Sequence, residues 1–147
     1  MGKISGTIIM IMAFAGLAAS CTRAGNESSQ NGIVEIRERM FISQVNDVYI
    51  NRQSYLGRTI KIEGIFIRSE NNGSWHNFVG RNGPGCCGND GFVGFEVSWD
   101  RTQTYPEHDS WVEAVGIVKD DNQGNYLYLD LVSLNVQEKR GRDQVFQ

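Results

Sequence analysis

Between Ile33 and Tyr49 the apolar positions fall mostly three or four apart, at Ile33, Ile36, Met40, Phe41, Val45, Val48 and Tyr49. That is the period of a helix with one buried face. It predicts one or two helical turns, then a helix of about three turns. The pattern weakens at Asn51, and Tyr55, Leu56 and Gly57 read as a helix exit and a turn. From Thr59 the period changes to two, with Ile60 and Ile62 on one face and Lys61 and Glu63 on the other. Beyond Gly64 both faces become apolar through Ile65, Phe66 and Ile67. One long strand, bent at the glycine and buried differently in its two halves, accounts for the change.

Four further strand patterns follow the turn Ser69–Ser74, at Trp75–Gly80, Phe92–Trp99, Trp111–Lys119 and Tyr126–Val136. Val93, Phe95, Val97 and Trp99 share one face, Val112, Ala114, Gly116 and Val118 another, and Leu127, Leu129 and Leu131 a third. The run Asp120–Gly124 reads as a hairpin turn between the last two strands. Five such strands with glycines in their interiors and a helical lead-in predict an all-β fold, a small five-stranded OB-like barrel. A small open antiparallel sheet packed on the helix is the alternative.

The ends of the chain carry a different pattern. A short basic start, an apolar run from Ile8 to Ala19 and the small residues before Cys21 resemble a bacterial lipoprotein signal, cut before Cys21 and acylated on it. The competing reading is an uncleaved anchor helix over Ile4–Ser20, at the short limit for spanning a bilayer. Either places the body outside the cytoplasm, attached to a membrane of the bacterial envelope and facing the periplasm or the exterior. Thr22–Asn31 is polar and reads as a tether. The expected organisation is a signal peptide at 1–20, the lipidated cysteine and tether at 21–31, the barrel at 32–137 and a polar tail at 138–147. That tail is charged and expected to fray unless Val145 and Phe146 dock.

With 147 residues and no internal repeat, the chain suits one domain. Its formal charge of −3 argues against a nucleic-acid surface, which needs clustered cations. The chemistry concentrates in His76–Val97, where Cys86 and Cys87 are adjacent, Asp90 follows, Arg81 precedes, and Gly83, Pro84, Gly85 and Gly88 make the backbone a loop.

Adjacent thiols have four readings: a metal-binding pair, a vicinal disulfide, reactive thiols, or two small buried residues. Zinc sites recur as cysteine pairs with residues between them, and this chain has only three cysteines and two histidines. A closed zinc site would therefore draw on Asp90, His76 or His108. A disulfide between neighbours is strained, since consecutive α-carbons lie ~3.8 Å apart, below the usual bridged range. Asp90, within Asn-Asp-Gly, also suits a plain turn. His76, at a strand start, is ordinarily a surface residue, and so is His108. Arg81 can cap strand backbone or pair with Glu96, or it can favour a thiolate and bind an anion or cofactor. No nucleophile elbow, HExxH, P-loop, CxxC or GxGxxG is present, which weighs against an enzyme of those classes.

Met40–Phe66, Arg81 five residues before the cysteine pair, the run Cys86–Asp90 and Ser110–Val118 together resemble the C-terminal soluble domain of the YcgQ-like family of bacterial membrane proteins. That family is proposed to supply subunits of a two-component permease. The resemblance implies that Arg81, Cys86, Cys87 and Asp90 are the family's marked positions and that a membrane permease subunit is a partner. The chain departs from the family where its members carry transmembrane helices, here replaced by a single lipidation cysteine, and in the Gly83-Pro84-Gly85 approach to the pair. The leading expectation is a binding module whose Cys86, Cys87, Asp90 and His76 hold a soft or borderline metal such as zinc. A thiol-redox protein cycling Cys86 and Cys87, or a structural docking barrel, are the alternatives.

Overall fold

The computed structural model describes residues 32–84, 91–99, 104–121 and 124–146. Cys21 and the tether, and the loop residues Cys86, Cys87 and Asp90, lie outside them. The described chain forms β1 (Val34–Glu35), α1 (Phe41–Ile50), β2 (Thr59–Asn71), β3 (Ser74–Gly83), β4 (Gly91–Ser98), β5 (Trp111–Asp120) and β6 (Leu127–Val136). Single 3₁₀ turns at Glu38–Met40 and Arg52–Ser54 flank the helix.

The sheet closes. Strands β2, β3 and β4 pair antiparallel in sequence order, β4 pairs parallel with β6, β6 antiparallel with β5, and β5 antiparallel with β2. This is the five-stranded OB-like barrel that the alternation predicted, and the β2–β5 ladder excludes the open sheet. The 13 residues of β2 serve both sides, pairing with β5 from Thr59 to Ile65 and with β3 from Ile65 to Asn71. At the changeover a Cβ on Gly64 would lie 2.3 Å from the Gly80 carbonyl oxygen. A Cβ on Gly80 would lie 2.2 Å from the Val93 oxygen, and one on Gly94 2.2 Å from the Val79 oxygen. Glycines on three neighbouring strands thus let the sheet coil where side chains would hold the backbones apart. The β2–β3 turn is Asn72–Gly73 with φ of 51° and 76°, the two left-handed residues of a type I′ hairpin.

The helical lead-in starts later than the apolar period from Ile33 suggests. A single 3₁₀ turn at Glu38–Met40 leads into α1, whereas the residues before it are extended chain: Val34 and Glu35 pair parallel with Ile60 and Lys61, and the Ile36 amide donates to Lys61 O at 2.9 Å. The reason lies in β2, whose first half pairs with β5 on one side only and leaves backbone groups on the other edge that β1 satisfies. The helix follows at α1, with Phe41, Val45 and Val48 buried on its inner face. Its Tyr49 ring stacks on Phe95 at 5.5 Å, and its hydroxyl donates to Gly94 O at 3.0 Å. Burial of that hydroxyl, aided by the Glu96 carboxylate, pushes the phenol up to about 12.

The core takes the predicted faces of β2, β4, β5 and β6, with Ile60, Ile62, Phe66, Phe95, Val112, Ala114, Val118 and Leu129 nearly inaccessible. In β6 the alternation breaks, because Gly116 pairs with Leu131 but Val115 with Ser133. The extra residue, Val132, bulges outward, and Leu134 instead of Ser133 turns into the core. The tail docks through Val145, which is 4% exposed, while Phe146 remains 71% exposed. The Asn82 amide donates to Asp143 O, the Val145 amide donates to Asn82 O, and Gly141 sits so close to Trp111 that a Cβ there would lie 2.6 Å from ring atom Cζ2. Among the described residues no helix is long and apolar enough to cross a membrane.

The glycine line gives a direct test. Gly64→Ala forces a methyl onto a backbone oxygen that has no rotamer to yield, and should cost at least about 2 kcal/mol in chemical denaturation. Gly91→Ala, where nothing lies within 4 Å of the added Cβ, should change stability by less than about 0.5 kcal/mol.

Candidate functional site

The loop 84–90, which contains both thiols and Asp90, leaves β3 and enters β4 at the rung Gly83–Gly91. The preceding rungs, Asn82–Phe92 and Arg81–Val93, are intact, and the docked tail bonds Asn82 from the other side. The base of the loop is therefore fixed backbone. A Cβ on Gly83 would meet Val93 Cγ2 at 2.9 Å and Ile42 Cδ1 at 3.6 Å, which places this rim beside α1.

Arg81 is 3% exposed and its described contacts are internal. Its Nε donates to Glu63 O at 2.9 Å, and one terminal nitrogen donates to Glu38 Oε2 at 3.1 Å and to Arg142 O at 3.3 Å. The guanidinium lies between the Phe41 and Trp111 rings, 5.1 and 4.9 Å from their centroids. Trp111 is itself held, donating from Nε1 to Glu63 Oε1 at 2.6 Å. Arg81 thus joins α1, β2, β5 and the tail, with Glu38 balancing its charge. Of the two structural readings of Arg81, it takes the capping of backbone and not the pairing with Glu96, because it faces inward with Val79 while Glu96 lies on the other face of its strand. Glu38, Glu63 and Trp111 gave no signal in the sequence, since each reads there as an ordinary surface or strand residue.

Glu96 takes His76 instead. The His76 Nδ1 lies 2.8 Å from Glu96 Oε1, and since a carboxylate only accepts, Nδ1 donates, which leaves Nε2 as the nitrogen that could face a ligand. The ring stacks on Phe78 at 6.5 Å. A carboxylate behind an imidazole is the arrangement that orients a metal ligand. Yet among the described residues no three of His, Cys, Asp and Glu gather as a metal site. His76 pairs across from Ser69 near the β2–β3 turn, whereas the cysteine loop leaves the opposite end of β3. His108 accepts the Arg68 amide at Nδ1, 3.1 Å away, and so closes the approach to β5.

The sequence reading also missed the barrel mouth at the β2–β3 turn. Trp75 and Asn77 continue the inward face of β3 past Val79, Val97 and Trp99 do the same on β4, and Tyr105 packs on Phe66 at 5.7 Å. These residues line a depression of about 640 Å³.

The chain matches the family described as the DUF1980 C-terminal domain over residues 15–145. No curated protein matches it.

If Arg81 acts as the internal tie described above, Arg81→Ala strands the Glu63 and Arg142 carbonyls and opens the space between two aromatic rings. It should lower unfolding stability by about 3 kcal/mol. Lysine should restore less than half of that loss, because an ammonium does not reproduce the planar fork.

Proposed function

We infer that this chain, which belongs to the DUF1980 C-terminal domain family, is a binding module held at a membrane surface, where Cys86, Cys87 and Asp90 coordinate a soft or borderline divalent ion such as zinc. The observation that carries this reading is the mounting of the loop. Seven residues that include two adjacent thiols and a carboxylate are attached at the fixed rung Gly83–Gly91. The fixed stems spare the ligands the cost of bringing the two ends of the loop together before they close on an ion. The nearest cation in sequence, Arg81, is balanced by Glu38, so it adds little repulsion against a metal. His76 contributes only if its free Nε2 is reached from the far end of β3, and the proposal does not depend on it.

The thiol-redox reading ranks second for the same reason. It needs a cation beside the thiols to lower their pKa, and Arg81 spends its described donors on Glu38, Glu63 O and Arg142 O. Calorimetry of the reduced protein with zinc should give a dissociation constant below about 10 µM. The paired change Cys86→Ser and Cys87→Ser should abolish the heat, and His76→Ala should leave it within about twofold. Tight binding that survives the double serine variant defeats the metal assignment.

Attachment completes the proposal. Cys21, acylated after signal cleavage, would hold the barrel through Thr22–Asn31, a coil with a root-mean-square span of roughly 17 Å. That distance keeps the domain beside a membrane partner such as a permease subunit without embedding it. Mass spectrometry of the mature N-terminus should find a lipid-modified Cys21, and Cys21→Ser should release the folded protein from the membrane fraction. An unmodified wild-type chain beginning at Met1 would exclude the lipoprotein.

A further inference from the structure

The mouth of the barrel, at the opposite end of β3 from the cysteine loop, carries features that the fold does not need. Asn77 is 8% exposed, and its Oδ1 is buried without a hydrogen-bond partner. A buried acceptor left unpaired is costly and is retained where something else supplies the donor. Above it the Arg68 guanidinium lies 4.5 Å over the Trp75 ring and forms no ion pair among the described residues. Trp75 is 55% exposed, an apolar surface that packing does not use. On the facing wall Trp99 meets Tyr105 edge-on at 6.1 Å, and the Trp99 amide donates to the Tyr105 hydroxyl at 2.7 Å, which fixes both rings. Glu96 at the rim is already taken by His76. The depression of about 640 Å³ falls in the range of small-molecule sites, and barrel mouths are a frequent place for them.

We propose that this mouth is a carbohydrate-binding site for a carboxylate-bearing sugar: a pyranose face stacks on Trp75, a hydroxyl donates to Asn77 Oδ1, and the carboxylate pairs with Arg68. Each group in the site then has a use. Polynucleotide is disfavoured, because among the described residues the mouth offers one unpaired cation and the chain carries a net charge of −3. The site shares no residue with the proposed metal loop, and either can fail alone.

Calorimetry of the full chain with tetragalacturonate should give saturable binding with a dissociation constant below about 1 mM. Neutral maltotetraose should bind at least about tenfold more weakly. Arg68→Ala should remove that preference, and Trp75→Ala, at an exposed position, should weaken both sugars by about tenfold. Asn77→Leu supplies a readout that a structural asparagine would not give. It removes an unpaired buried oxygen, so the melting temperature should hold or rise while binding is lost. If Asn77→Leu does not fold, the two exposed variants still decide. Absence of saturation at about 10 mM, equal binding of acidic and neutral sugars, or a lower melting temperature with binding retained in Asn77→Leu overturns the proposal. So does saturation by a tetrapeptide with a free carboxylate that the sugars do not compete away.

Discussion

A strand that must pair with two neighbours in succession cannot hold side chains apart where it passes from one to the other. In β2 that point is Gly64 and Ile65, where the ladder to β5 ends and the ladder to β3 begins. Gly64, Gly80 and Gly94 form a line across three strands with backbone in the space where each Cβ would be. Closure follows from this approach, and the rest of the architecture follows from closure. The inner faces of five strands become one core, the half-unpaired edge of β2 recruits β1, and the barrel acquires two distinct ends.

At the end that holds Val93 and Phe95, α1 and the tail are tied in by Arg81. Its charge faces Glu38, its remaining described donors satisfy two backbone carbonyls, and its planar group fills the gap between Phe41 and Trp111. An arginine so placed stabilises by satisfying carbonyls and filling volume more than by ion pairing, because Glu38 is half in solvent and its attraction is screened. The tail is held a second time by Arg140, which bridges Asp109 and Asp143 and holds the Asp109 carboxyl below its usual range, chiefly through the hydrogen bond. These ties make the rim beneath the cysteine loop a fixed platform.

The opposite end has the reverse character. Its aromatic walls and unpaired Asn77 leave polar and apolar surface unused by the fold, as expected of a site that waits for a ligand. The length of β3 separates the two ends, so a substitution at one leaves the other in place.

The strands and the helix that build the barrel were legible in the residues alone, whereas its closure rests on the β2–β5 ladder. Period-two alternation, the interior glycines, the Asn-Gly turn and the three-turn helix over Phe41–Ile50 are local signals, and each was legible because a neighbouring residue or a strand partner of the same hairpin decides it. The sequence also pointed to the cysteine loop, since adjacent thiols and a carboxylate need no tertiary context to be noticed. That Val34–Glu35 is a strand was not legible there, because the backbone edge it satisfies belongs to residues about 26 positions later. The same holds for Arg81, whose partners come from positions 38, 63 and 142, and for Glu96, which turned to His76. The mouth was invisible for that reason too: Arg68, Asn77, Trp99 and Tyr105 lie on separate stretches, and a lone buried acceptor acquires meaning only when closure brings the others around it.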